Sequence, residues 1–133
     1  MNKTSSYELS IIFLLKNENI KFEREKQFKD FRKGTYRYDF FVPSSNLLIE
    51  VDGAQHFQFV PYFYRKKSDF TKAQERDRLK NSFALSQGIC LCRIPFWEVS
   101  RLKEFSDILQ DKFIVKNQFH NDEIWNEHKR NNK

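Results

Sequence analysis

The sequence predicts an α/β domain in which helices flank a central mixed sheet built around a three-strand antiparallel meander. Three observations predict it. Residues 36–53, YRYDFFVPSSNLLIEVDG, place two aromatic and β-branched runs on either side of Pro43-Ser44-Ser45-Asn46, the pattern of a hairpin. Stretches with helical apolar spacing stand before and after that hairpin. A short apolar run, ICLCRI, lies between two of the helical stretches, where another strand can join the sheet. The predicted order is helix, three strands, helix, strand, helix (αβββαβα).

Each element has its own signal. In SSYELSIIFLLKNEN, Leu9, Ile12, Phe13 and Lys16 fall on one helical stripe, and Ser5-x-x-Glu8 has the form of a capping box. IKFEREKQF reads as the first strand, with Phe22 and Phe28 as core contacts, and DFRKG turns the chain into the hairpin strands 35–42 and 47–52. A loop rich in aromatic and basic residues, GAQHFQFVPYFYRKKSDF, follows. TKAQERDRLKNSFALSQG is helical, with Ala73, Leu79, Phe83 and Leu85 apolar and Gly88 as its stop. ICLCRI is a buried strand ended by Pro95, and Val99, Leu102, Phe105, Leu109 and Phe113 predict a helix from 98 to about 113. Residues 1–115 form the domain; 116–133 are a polar tail that frays or docks through Trp125.

At 133 residues, with 15 phenylalanines, one domain can build its core without disulfides or metals. Cys90 and Cys92 share one strand face as small apolar residues, and His56, His120 and His128 stand too far off in sequence to complete a structural zinc site. Ile11–Leu15 is too short an apolar run for a secretory segment, and no stretch approaches the roughly 20 residues needed to cross a bilayer. The chain therefore reads as soluble and cytoplasmic. Lys+Arg 24 against Asp+Glu 18 gives +6, a balance that suits a polyanion such as DNA.

The hairpin carries the chemistry. If it is symmetric about Ser44–Ser45, Val42 faces Leu47, Phe40 faces Ile49 and Asp39 faces Glu50. Leu47, Ile49 and Val51 then make a core face, and Glu50, Asp52 and Asp39 share the other. Facing residues lie about 5 Å apart at Cβ, so these carboxylates can meet over a common point. A second buried negative charge there requires a raised pKa or a counterion, and Mg²⁺ binds through one or two carboxylates plus water and phosphate oxygens. The bland alternative is an exposed face whose acids pair with neighbours such as Arg37. Glu8 has a capping role as its alternative, and His56 is either a base near neutrality or a loop histidine among Phe57, Phe59 and Tyr62. Asp77, Arg78 and Lys80 sit where solvated helix pairs are ordinary.

A helical Glu, an Asp on a strand, a hairpin, IEVDGAQH, D-x-x-K on a helix and RIP on the next strand together resemble the PD-(D/E)xK, restriction endonuclease-like nuclease superfamily. More narrowly they are similar to its Vsr-like branch, with very short patch repair and phage homing endonucleases. The resemblance runs from Tyr7 to Trp97. It implies a single restriction endonuclease-like domain and a Mg²⁺-dependent endonuclease, with Mn²⁺ substituting, that hydrolyses DNA phosphodiester bonds in a cytoplasm (the host's, for a phage-encoded chain).

Position by position, it implies Asp39 as the core metal ligand, Glu50 as its partner, Glu8 completing the cluster and His56 as catalytic histidine. Asp77 and Lys80 would support them from the helix. The superfamily's lysine is replaced by Asp52, so His56, Gln55 or Lys80 would activate water. Arg65, Lys66 and Lys67 would hold the DNA backbone, unless their loop is a packed surface Ω-loop. Specificity would come from loops, a homodimer or a partner protein. The rival expectations are a catalytically inactive nucleic-acid-binding module, with salt-dependent and metal-independent DNA affinity, and an interaction protein whose acids are structural.

Overall fold

A computed structural model of the protein describes residues 4–132. Helix α1 (Ser6–Asn17) leads to strands β1 (Glu23–Gln27), β2 (Arg37–Val42) and β3 (Leu47–Asp52). Helix α2 (Lys67–Ser86), strand β4 (Cys90–Pro95), a short helix α3 (Phe105–Ile108) and a terminal helix α4 (His120–Asn131) follow. The sheet order is β1-β2-β3-β4, antiparallel across the first three strands and parallel between β3 and β4. This is the expected α/β class with a mixed sheet and a meander.

The hairpin turns through a 3₁₀ turn at Pro43–Ser45, where proline presets φ, and Asn46 takes the left-handed conformation (φ 47°). That turn sets the register at Val42–Leu47, Phe41–Leu48 and Phe40–Ile49. All six residues of β3 are buried, as expected for a strand paired on both sides and covered on both faces. One core layer packs Leu47, Ile49 and Val51 against Ile11, Leu14 and Leu15 of α1 and against Ile94, Val99, Ile108 and Phe113. The other packs Leu48 and Tyr38 against Phe31, Ala84 and Leu91.

Four expectations about elements are corrected. The α1 stripe falls on Ile11, Leu14 and Leu15, while Leu9 and Phe13 are exposed. IIFLL is apolar nearly all round, so periodicity alone does not choose the buried face. Ser5 does cap α1, accepting from the Glu8 N–H at 3.1 Å, but the Glu8 side chain turns to Arg24 instead of closing the box. The α2 helix begins at Lys67, and Leu79 and Leu85 face outward; its buried residues are Asp77, Lys80, Asn81 and Ala84. Its end is as expected: Gly88 (φ 68°) follows the cap, with Gly88 N–H on Leu85 O and Ile89 N–H on Ala84 O.

The helix expected over 98–113 is three short pieces: 3₁₀ turns at Phe96–Arg101 and Asp111–Phe113, with α3 between them. Glu104 and Asp107 form a reciprocal capping box in mid-run, and this starts a new helix where the old one would have continued. Beyond 116, where the tail is expected to fray or to dock through Trp125, the chain forms helix α4. Helix α4 docks on α2 through Arg78–Asp122 at 3.1 Å, and Trp125 lies 5.4 Å from the Phe57 ring. Among the described residues, no helix is long and apolar enough to cross a membrane.

Candidate active site

The β2–β3 ladder stops at Phe40–Ile49, one step short of the expected Asp39–Glu50 pair. The two acids stand opposite one another where the strands part, and each accepts a main-chain N–H from the other strand. Asp39 N–H donates to Glu50 Oε1 at 2.7 Å, and Val51 N–H donates to Asp39 Oδ2 at 2.8 Å. The β1–β2 ladder skips the same level: Arg24–Phe40 and Lys26–Tyr38 pair, while Glu25 has φ 54°. Across this irregularity β2 changes face, with Tyr38 in one core layer and Phe40 in the other. Strand distortions of this kind re-aim a side chain. Here the side chain is that of Asp39.

Glu50 is fixed from below. The Lys80 ammonium donates to Glu50 Oε2 at 2.8 Å, and Tyr38 Oη donates to the Lys80 carbonyl at 2.7 Å. Beside them lies Arg93, 1% exposed, with Nη1 2.8 Å from Asp52 Oδ1 and 3.8 Å from Glu50 Oε2, and Nη2 3.5 Å from Asp77 Oδ1. Its Nε donates to Asn81 Oδ1 at 2.6 Å. Asn81 donates to Asn121 Oδ1 at 3.2 Å, and Asn121 in turn donates to Asp52 Oδ2 at 3.2 Å. Helix α4 thereby closes a ring of hydrogen bonds around the guanidinium.

His56 belongs to this network rather than to the Asp39 site. Its Nδ1 is 2.9 Å from Asp77 Oδ2 and 3.5 Å from Asp52 Oδ1. Burial alone would lower the imidazole pKa, but the Asp77 and Asp52 carboxylates outweigh it and raise it to about 9. In the same way, burial would raise Asp77, yet His56 and Arg93 hold it well below the usual carboxylate range. With His56 protonated, three cations (His56, Lys80, Arg93) balance three carboxylates (Glu50, Asp52, Asp77).

An NMR titration of the His56 imidazole is expected to show a midpoint near 9, falling toward 6.5 in Asp77→Asn. Because the folded pKa is the raised one, the pair's contribution to stability is complete below about 6.5 and is lost as pH rises through about 9. A wild-type midpoint at or below 6.5 would restore His56 as a base at neutral pH.

Asp39 stands outside that balance. Among the described residues it is in no ion pair, and burial together with the Glu50 charge raises its pKa well above the usual range. Glu8 is 3.0 Å from Arg24; burial raises its carboxyl, Arg24 opposes, and Glu25 and Glu50 add to the rise. Asp39, Glu8, Gln55 and Lys80 line one open groove of about 930 Å³, together with Arg37 and Arg76. Asp77 and His56 line a separate cavity of about 20 Å³ under α4. Asp52 is held by Arg93 and Asn121, and Arg65, Lys66 and Lys67 lie exposed where α2 starts and are not among the residues lining the groove.

Among the described residues, no three His, Cys, Asp or Glu side chains converge closely enough to hold a metal ion by themselves. Of the opposed pair, Asp39 lines the groove, whereas Glu50 is 2% exposed with its oxygens on the Asp39 N–H and Lys80. Asp39, with Glu50 if Lys80 releases it, would supply the one or two carboxylates that Mg²⁺ takes when substrate phosphate and water fill its other positions. These residues do not fit a closed protein cage, and Asp52 is not among the available ligands.

Sequence reasoning missed Arg93, Asn81 and Asn121. Arg93 had a signal, a charged residue inside the otherwise apolar ICLCRIP; the two asparagines had none.

No protein-family model matches the chain, and no solved structure matches it. It is 34% identical over 58 residues to "Uncharacterized protein 307L" of Invertebrate iridescent virus 6, covering 44% of this chain and 29% of that one. The same identity over 58 residues relates it to "Uncharacterized protein 033L" of Invertebrate iridescent virus 3, covering 44% and 30%. The chain thus spans under a third of the length of these viral relatives, and it is similar to them in one segment.

Proposed function

We propose that the protein is a divalent-metal-dependent endonuclease acting on DNA, with the groove over Asp39 as its active site. The observation that carries this reading is the parted hairpin: Glu50 accepts the Asp39 N–H, Asp39 accepts the Val51 N–H, and among the described residues Asp39 is in no ion pair. Mg²⁺ at that position would neutralise a non-bridging phosphate oxygen and acidify water. Asp39 and Glu50 would hold it, and the Lys80 ammonium orients Glu50.

As an imidazolium at neutral pH, His56 holds Asp77 and Asp52 in place and is no proton acceptor there. Proton transfer falls to groups on the groove, and Glu8, with its raised carboxyl, accepts a proton more readily than an ordinary glutamate.

The test is incubation of supercoiled plasmid, mismatched duplex, branched DNA and single strands with purified protein in Mg²⁺, Mn²⁺ or EDTA. The expected result is cleavage with either metal and none in EDTA. Cleavage unchanged in Asp39→Asn would move the active site elsewhere, and no cleavage of any substrate would refute the reading.

A second reading, a nucleic-acid-binding module without catalysis, is favoured by one observation. Lys80 already neutralises Glu50, so of the opposed pair, among the described residues, Asp39 alone is in no ion pair. It predicts DNA affinity that falls with salt and is the same in Mg²⁺ and in EDTA.

A further inference from the structure

Around the acidic floor, most cations are engaged: Arg24 on Glu8, Lys80 on Glu50, Arg93 on Asp52. Arg37, which opens β2, and Arg76, one turn before Lys80 on α2, differ. Both are exposed, both line the groove, and among the described residues neither is in an ion pair. The Arg76 guanidinium lies over the Tyr36 ring, 5.7 Å from its centroid, with Arg32 at 5.4 Å from the same ring. Tyr36 thus stacks against Arg76 at the rim instead of leaving it to fold down onto the acids.

The rest of the lining is Thr4, Thr35, Glu25 and one exposed aromatic side chain, Phe63. Phe63 lines the groove and is 53% exposed; Tyr62, 88% exposed, meets it edge-on at 5.0 Å. An exposed aromatic pair, Phe63 with Tyr62, beside two guanidinium groups that are in no ion pair among the described residues suits a chain of phosphates carrying flat apolar rings. A paired base already has both faces stacked within its duplex, so a ring standing in a groove wall receives an unpaired one.

We infer that this groove takes an unpaired DNA strand, with phosphates on Arg37 and Arg76 and a base against Phe63. The inference rests on reading the groove as a nucleic-acid site and names its substrate class. It also moves the backbone contact away from Arg65, Lys66 and Lys67.

The test is fluorescence anisotropy of the wild-type protein in EDTA with a labelled oligothymidylate of about 12 nucleotides, its duplex and the matching oligouridylate. The single DNA strand is expected to bind at least about tenfold tighter than the duplex. The double variant Arg37→Gln/Arg76→Gln should weaken binding about tenfold and reduce the salt slope by roughly 1.4, two phosphate contacts at about 0.7 each. Phe63→Ala should weaken it on the order of tenfold and leave the slope unchanged. Arg65→Gln/Lys66→Gln/Lys67→Gln should bind within about twofold of wild type, because those residues lie off the groove.

Duplex binding as tight as single-strand binding, tighter binding of the oligouridylate, or wild-type affinity in both groove variants would each overturn the inference. All these residues are exposed, and thermal melts of each variant check that it is folded. Binding is read without cleavage, so the two ideas fail separately. Groove-dependent binding with no nuclease activity sinks the nuclease reading alone, whereas cleavage with unaltered binding in the variants sinks the groove assignment alone.

Discussion

Asp39→Asn is expected to abolish metal-dependent DNA cleavage and, in the same protein, to raise the unfolding temperature. The two effects share one cause. The amide retains an oxygen for the Val51 N–H, so the parted hairpin keeps its hydrogen bond, but the charge is gone. Under the proposed function, loss of that charge removes a ligand of the metal, and cleavage should fall by at least about 10²-fold, some 2.7 kcal/mol of barrier.

It also removes repulsion from Glu50 and the cost of burying an ionised carboxylate, both of which raise the Asp39 pKa. A group whose folded pKa is raised contributes stability below its unfolded pKa and loses it as pH rises through the folded one. At neutral pH the native aspartate is therefore on its unfavourable side. The gain in Asp39→Asn should be about 1 kcal/mol, roughly 3–6 °C for a domain of this size, and should vanish in acid. Parallel melts at neutral and acid pH, read beside a plasmid assay, check both halves. A lower melting temperature with unchanged function would make Asp39 a structural acid only.

Arg93→Met should give the largest loss of stability, about 3–5 kcal/mol in urea titrations at neutral pH. Arg93 is 1% exposed and neutralises Asp52 at 2.8 Å, with Asp77 and Glu50 at 3.5 and 3.8 Å. Methionine fills much of the volume and supplies no charge, so the deficit reports carboxylates left uncompensated. Arg93→Met/Asp52→Asn should recover part of it, with a coupling above about 1 kcal/mol because the two groups touch.

Asp77 adds a pH signature. Its folded pKa is depressed, so its contribution is present above the unfolded carboxylate range and lost as pH falls toward the folded value. Arg93→Met removes one of the cations that depress it, so wild type and variant should converge in acid. A loss under about 1 kcal/mol, or one independent of Asp52, would show that the network is not held by charge.

The hairpin was legible because its signals are local. Pro43 and Asn46 impose the turn, and the turn alone sets the register that brings Asp39 level with Glu50. Alternation along β3 likewise assigned Leu47, Ile49 and Val51 to the core and Glu50 and Asp52 to the other face. The buried side of α1 was not legible, because an all-apolar run offers several equivalent stripes. That of α2 was hidden for the opposite reason: its inner face is Asp77, Lys80 and Asn81, so apolar spacing pointed to Leu79 and Leu85, which lie outside.

By itself, then, the sequence determined the α/β class, the meander and the meeting of two carboxylates at one level of the sheet. These follow from turn chemistry and side-chain alternation, which act over a few residues. Only the tertiary structure decided what becomes of the other charged groups. Arg93 captures Asp52, His56 becomes a cation on Asp77, and Asn121 arrives from α4, while Asp39, among the described residues, is in no ion pair. The reason is that a buried charge is settled by whichever opposite charge the fold brings within a few ångströms. Those partners come from β4, α2 and α4, up to 69 residues away in the chain, and no local pattern encodes their approach.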